Sequence, residues 1–209
     1  MNKINKDLKM YIEEKILPLY EKNEKGHGIE HIENILRRSF LMAEGFKNIN
    51  FDILYVVAIY HDVAHHIDKD NHEILSAEMF YCDDNMKKYF TDDERIVIKE
   101  AIEDHRANLK TEPRSIYGKL LSTADRSKSL DEVMKRTYTY TLRHFPEYSV
   151  DEIVDRAYEY IKKKYGHGGY AKVWVRDIEF EQFKDEVSYM LENKDEFREK
   201  YLKINNISE

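Results

Sequence analysis

A chain of 209 residues, 42 % hydrophobic and 36 % charged, is long enough to bury a sizeable core and carries a densely charged surface. Its net charge of −7 argues against bulk binding of nucleic acid or of an anionic membrane, and the single cysteine, Cys82, excludes an internal disulfide and fits a reducing cytoplasm. No apolar stretch approaches the roughly 20 residues that span a bilayer, and the first residues hold no apolar signal-peptide core, so a soluble, cytoplasmic, single-domain protein over 1–209 is expected.

With only 7 Gly and 3 Pro, the chain favours long helices over many-turned sheets. Residues 4–22 read as one amphipathic helix, with Leu8, Tyr11, Ile12 and Ile16 near a 3.6-residue period. Gly26 and Gly28 break the chain before a second helix over 29–45, whose stripe is Ile32, Ile35, Leu36 and Ala43, with His31 at its edge. The segment 51–62 is apolar on all sides, and periodicity does not separate a buried helix from a buried strand there. Helices are expected over 71–88 and 115–127. Hydroxyl residues followed three positions on by Glu (Thr91 with Glu94, Ser129 with Glu132, Ser149 with Glu152) have the form of capping boxes and predict helices over 91–107, 129–144 and 149–164. Gly166, Gly168 and Gly169 mark an irregular stretch, read as the end of the preceding helix with Gly166 as its cap, the alternative being a mobile flap that carries His167 over a base. At most a small β element is expected near 170–175, and a final charged helix over 178–203.

The residues that carry chemistry lie in three segments. His31 stands in Gly-His-Gly-Ile-Glu-His, the doublet His61-Asp62 closes the apolar run, and Asp125 stands in Ser-Thr-Ala-Asp-Arg-Ser. An imidazole and a carboxylate at the end of a buried run are costly unless paired or bound to a metal. This ordered set of nitrogen and oxygen donors, without thiolate, suits Mn, Mg, Fe or Zn. Four ligands on an octahedral ion leave positions open, which distinguishes a catalytic from a structural site.

The order His, His-Asp, Asp resembles the HD superfamily of metal-dependent phosphohydrolases over about residues 26–130. The resemblance implies an all-α HD-domain helical bundle, makes 51–62 a helix, and assigns His31, His61, Asp62 and Asp125 to one divalent ion. One branch of the superfamily has histidines matching His72 and His105 that bind a second ion, with the doublet aspartate, Asp62, bridging; the alternative is that both are phosphate-binding donors around a single ion. The implied reaction is hydrolysis of a phosphoester or phosphoanhydride in a small, nucleotide-like substrate, with Asp62 at its centre. A non-catalytic metal- and nucleotide-binding module, acting as a sensor or partner surface, is the competing class. Where single-metal nucleotidases of the superfamily often carry an acid, this chain has His65 and His66, candidates for proton transfer or plain capping groups. Arg106, Arg126 and Lys128 adjoin expected ligands and are candidates for substrate phosphate contact.

Overall fold

The computed structural model describes residues 4–24 and 26–207, and every regular element among them is helical. The chain divides into two units. The first runs up to Asp125 and takes back Val173–Arg176; the second comprises Arg126–Lys172 and the chain from Asp177 onward.

The first unit contains α1 (Lys6–Lys15), a 3-10 turn (Leu17–Lys22), α2 (Ile29–Ala43), α3 (Phe51–Tyr60), α4 (His72–Tyr81), a second 3-10 turn (Asp84–Lys88), α5 (Asp92–Glu103) and α6 (Ile116–Ala124). Helix α3 is central. It packs against α2, α4, α5 and α6, and every residue from Ile53 to Tyr60 is buried. That is why its sequence shows no polar face: a helix surrounded by other helices has no solvent side to mark. Around it, Leu8, Ile12, Ile16 and Tyr20 from the N-terminal elements, Ile32 and Ile35 from α2, Phe80 from α4 and Ile98 and Ile102 from α5 complete one core.

The expected helix over 4–22 is interrupted. Pro18 sits in the first turn of the following 3-10 segment. In a continuous helix its ring would meet the carbonyl four residues back, and it has no N–H to donate. The expected helix over 71–88 also splits, because the Asp83 side chain accepts from Asn85 N–H and starts a new turn.

The second unit contains α7 (Leu130–His144), α8 (Val150–Tyr165), α9 (Ile178–Glu192) and α10 (Lys194–Asn205). Its core includes Met134, Ile161, Val187, Phe183, Phe197 and Tyr201. The final helix expected over 178–203 breaks at Asn193, whose side-chain amide donates to the Tyr189 carbonyl and competes with the helical ladder. Gly166 ends α8 as read from the sequence, with Lys162, Lys163 and Lys164 in the last turn. The chain then folds back so tightly that a Cβ on Gly169 would lie 2.5 Å from the Lys164 carbonyl oxygen. No strand forms near 170–175. Trp174 and Val175, which belong to the first unit, donate their backbone N–H groups to the Thr123 hydroxyl (3.0 and 3.4 Å) rather than to a neighbouring strand.

Candidate metal centre

Six side chains of the first unit meet at helix ends. His31 lies in the first turn of α2, and His61 and Asp62 follow the last turn of α3. His72 opens α4, His105 lies just beyond α5, and Asp125 caps α6. A helix end suits this role, because side chains there are not committed to a packed stripe and backbone groups are available to orient them.

Asp62 is shared between two histidine pairs. Its Oδ2 lies 3.3 Å from His61 Nε2 and 3.6 Å from His31 Nε2. Its Oδ1 lies 3.1 Å from His72 Nε2 and 3.6 Å from His105 Nε2. Within the pairs, His31 and His61 place their Nε2 atoms 3.3 Å apart, and His72 and His105 place theirs 3.1 Å apart. Asp125 adjoins the first group, its Oδ1 3.3 Å from His31 Nε2.

The far ring nitrogens fix the tautomers. His61 Nδ1 faces the Ala58 carbonyl at 2.8 Å, His72 Nδ1 the Lys69 carbonyl at 2.9 Å, and His105 Nδ1 the Ile102 carbonyl at 2.7 Å. A carbonyl only accepts, so each Nδ1 carries the hydrogen, and in the neutral ring the Nε2 lone pair points inward. Facing lone pairs repel one another unless a cation or a proton sits between them. A backbone carbonyl orienting the outer nitrogen is the usual support of a metal-ligating histidine.

The donor set therefore fits a divalent ion. Ligands at right angles and about 2.2 Å from one ion lie about 3.1 Å apart, close to the Nε2 and oxygen separations here. Two triads, His31 with His61 and Asp62 and Asp62 with His72 and His105, each bring their ligand atoms within 4.8 Å of one another. The electrostatics point the same way. Burial opposes charge on His61, yet the Asp62 carboxylate beside it prevails and pushes the ring up to about 9. Asp62 is itself buried, but His61, His105 and His72 hold its carboxyl well below the usual range. Asp125 is held low by His31 against the same burial penalty. The cluster thus calls for positive charge at its centre.

The remaining expected site residues are placed as follows. His65 is buried and stacks on His27 with centroids 3.8 Å apart, 5.0 Å from the His72 ring. Burial, and then His27, push it down to about 4, so at neutral pH it is an uncharged ring. His66 is held by Asn23, whose Oδ1 accepts from its backbone N–H at 3.0 Å and faces its Nδ1 at 3.1 Å. Arg106 is engaged by Glu73, 3.1 Å away, and by the Asp70 carbonyl. Arg126 and Lys128 belong to the second unit. Arg126 is buried and donates to the Lys172 carbonyl at 3.0 Å, and Lys128 lies 3.5 Å from Glu179.

Three supporting residues escape a reading of the sequence. Asn23 donates to the carbonyls of Asp62 (2.9 Å) and His27 (3.0 Å), so one amide ties the doublet to the loop before α2. The Tyr20 hydroxyl donates to the Ile59 carbonyl at 2.5 Å and accepts from Asp62 N–H at 3.3 Å. Arg38 is buried on α2 and donates to the Ala124 carbonyl at 2.6 Å, next to Asp125. Only Arg38 leaves a trace in the sequence: it continues the row Ile32, Ile35 on the face that otherwise holds apolar residues.

The family model of the HD domain matches residues 28–129, which include all six of these histidines and aspartates. Residues 28–129 are an HD domain. This part of the chain belongs to the HD superfamily of metal-dependent phosphohydrolases, and its helical bundle is the family's architecture. Neither a curated protein nor a solved structure matches the chain. No helix among the described residues is long and apolar enough to cross a membrane.

Proposed function

We propose that this protein is a metal-dependent phosphohydrolase that holds two divalent ions, of Mn, Fe, Mg or Zn, and cleaves a phosphoester or phosphoanhydride bond in a small nucleotide-like molecule. The observation that carries the reading is the division of the Asp62 carboxylate, one oxygen toward each pair of inward-facing histidines. In it, His31, His61, Asp62 and Asp125 hold one ion, and Asp62, His72 and His105 the other. When bound, such ions polarise a phosphoryl oxygen and lower the pKa of coordinated water.

The chain's own residues do the positioning. The carbonyls of Ala58, Lys69 and Ile102 fix three imidazoles, and Ser122 secures the His105 backbone by donating to its carbonyl at 3.1 Å. His65, beside His72, lines the centre as an uncharged ring, and His66, fixed by Asn23, is a candidate donor to the leaving group. Arg106 is the cation assigned to substrate phosphate within the HD unit, with its guanidinium oriented by Glu73.

The test is metal analysis of the purified full chain, loaded with Mn or Fe, coupled to a screen of phosphorylated small molecules. The expected result is about two ions per chain and turnover that Asp62→Ala abolishes. A fully loaded protein that releases phosphate from none of them would overturn the enzymatic reading and leave the non-catalytic module.

A further inference from the structure

The second unit contains a cavity of about 410 Å³ between α7 and α8. Its walls carry Arg136 and Tyr140 from α7 and Arg156, Tyr160 and Lys164 from α8. Residues 136 and 140, and likewise 156, 160 and 164, are four apart, so each set shares one face of its helix.

Three cations line one hollow here without an acid beside them. Several other cations of the unit are matched with acids: Lys200 with Asp131 and Glu186, Arg198 with Asp151, Lys194 with Asp155. Among the described residues, no carboxylate makes an ion pair with Arg136, Arg156 or Lys164, although the chain has 41 acidic residues against 34 basic. Neutral groups hold the three in place. Arg136 donates to the Ser127 hydroxyl at 2.7 Å, Lys164 donates to the Tyr160 hydroxyl at 3.1 Å, and the Arg156 guanidinium lies 4.3 Å from the centre of the Phe145 ring. Three like charges around one hollow repel one another, and an anion between them removes that cost.

We infer that this cavity is a second ligand site, separate in its residues from the metal centre, for a small molecule that joins a phosphate to a planar aromatic ring, of the size of a 5′-mononucleotide. The volume falls in the range of small-molecule sites, about 300–1,000 Å³. The guanidinium forks of Arg136 and Arg156 match phosphate oxygens, and Lys164 adds a point charge. Tyr140 and Tyr160, both substantially exposed, offer ring faces on which a base stacks. Between the helices, Val133 and Ala157 give an apolar floor. The inference does not rest on the enzymatic reading, because none of the residues that line the cavity belongs to the HD domain at 28–129.

The test is equilibrium dialysis of the full chain with AMP, GMP, adenosine and inorganic phosphate, in the presence of a chelator so that turnover is silent. One mononucleotide per chain is expected, with adenosine and inorganic phosphate each binding at least about tenfold more weakly, the scale of one charge-assisted contact. Arg156→Gln and Arg136→Gln should each weaken mononucleotide binding by about tenfold or more, while metal content per chain, measured without chelator, stays at the wild-type value. Melting curves establish that each variant is folded; if Arg156→Gln is not, Tyr160→Leu replaces it, with the same loss expected. Undetectable mononucleotide binding by wild type overturns the inference. So does adenosine binding as tightly as AMP, or mononucleotide binding unchanged in the folded variants.

Discussion

Because the two oxygens of Asp62 face different histidine pairs, removing its charge while keeping its shape should disturb both halves of the centre at once. Asp62→Asn is expected to lower bound metal to below one ion per chain and turnover by about a hundredfold to a thousandfold or more, the scale of one lost electrostatic contact at a reacting centre. His72→Ala touches one half only, so it should reduce metal from about two ions to one. A wild type that saturates at one ion in excess Mn or Fe would reject the two-ion arrangement and return His72 and His105 to phosphate binding. Protons compete for the same place. His61 is raised from its ordinary 6.5 to about 9, so its contribution to stability is fully present below 6.5 and is lost as pH rises through 9. His72 is shifted in the same direction, with Asp62 outweighing its burial. The melting temperature of chelated protein should therefore fall between about pH 6.5 and 9. Saturating metal at pH 9 should restore it, since the ion then supplies the positive charge that Asp62 faces. A chelated protein whose melting temperature is flat across that window would contradict the assignment.

At the scale of the element, the sequence announced what depends on local chemistry and hid what depends on contact. The boxes at Thr91 and Ser149 form in both directions, whereas at Ser129 only the hydroxyl's half is present. The order of His31, the doublet and Asp125 was readable, and so was their convergence through the family resemblance, but no spacing indicates which nitrogen of a ring faces inward. That is set by carbonyls three residues back along each turn, at Ala58, Lys69 and Ile102. Asn23 was equally hidden, because an Asn after a charged helix reads as an ordinary turn residue until its partners 39 and 43 positions away are known. It closes the turn after α3, and Asn23→Ala leaves the Asp62 carbonyl and the His66 N–H without this partner. The expected cost is roughly 1–3 kcal/mol of stability and about a tenfold to hundredfold loss of metal affinity, the usual effect of removing a group that supports a ligand. Denaturant melts and metal titration measure the two separately. A variant destabilised by this amount with unchanged affinity would show that Asn23 closes the turn without positioning the doublet.

At the scale of the molecule, the region that matches the family and the unit that buries the core have different limits. The match covers residues 28–129, yet the core around α3 draws Leu8, Ile12, Ile16 and Tyr20 from the chain before it. Each of the three aliphatic side chains is worth about 1.5–3 kcal/mol when fully buried. Together those three contribute about 4.5–9 kcal/mol, comparable to the 5–15 kcal/mol that stabilises a typical domain. The same segment supplies the Tyr20 hydroxyl that accepts from Asp62 N–H. From the other direction, Val175 packs beside Ala43, Leu54 and Leu120, and the strap around Trp174 satisfies Thr123 two residues before Asp125. A fragment of residues 28–129 is therefore expected to show no cooperative thermal transition and to retain no metal after gel filtration, although it holds every proposed ligand. Extending it to residues 4–129 should restore a transition, at a lower temperature than that of the full chain because the strap is missing. If the short fragment melted cooperatively and kept its metal, the N-terminal elements would be an addition to the HD fold. If it does not, those elements are part of the scaffold that holds the doublet in place, and the metal centre depends on chain that contributes no ligand to it.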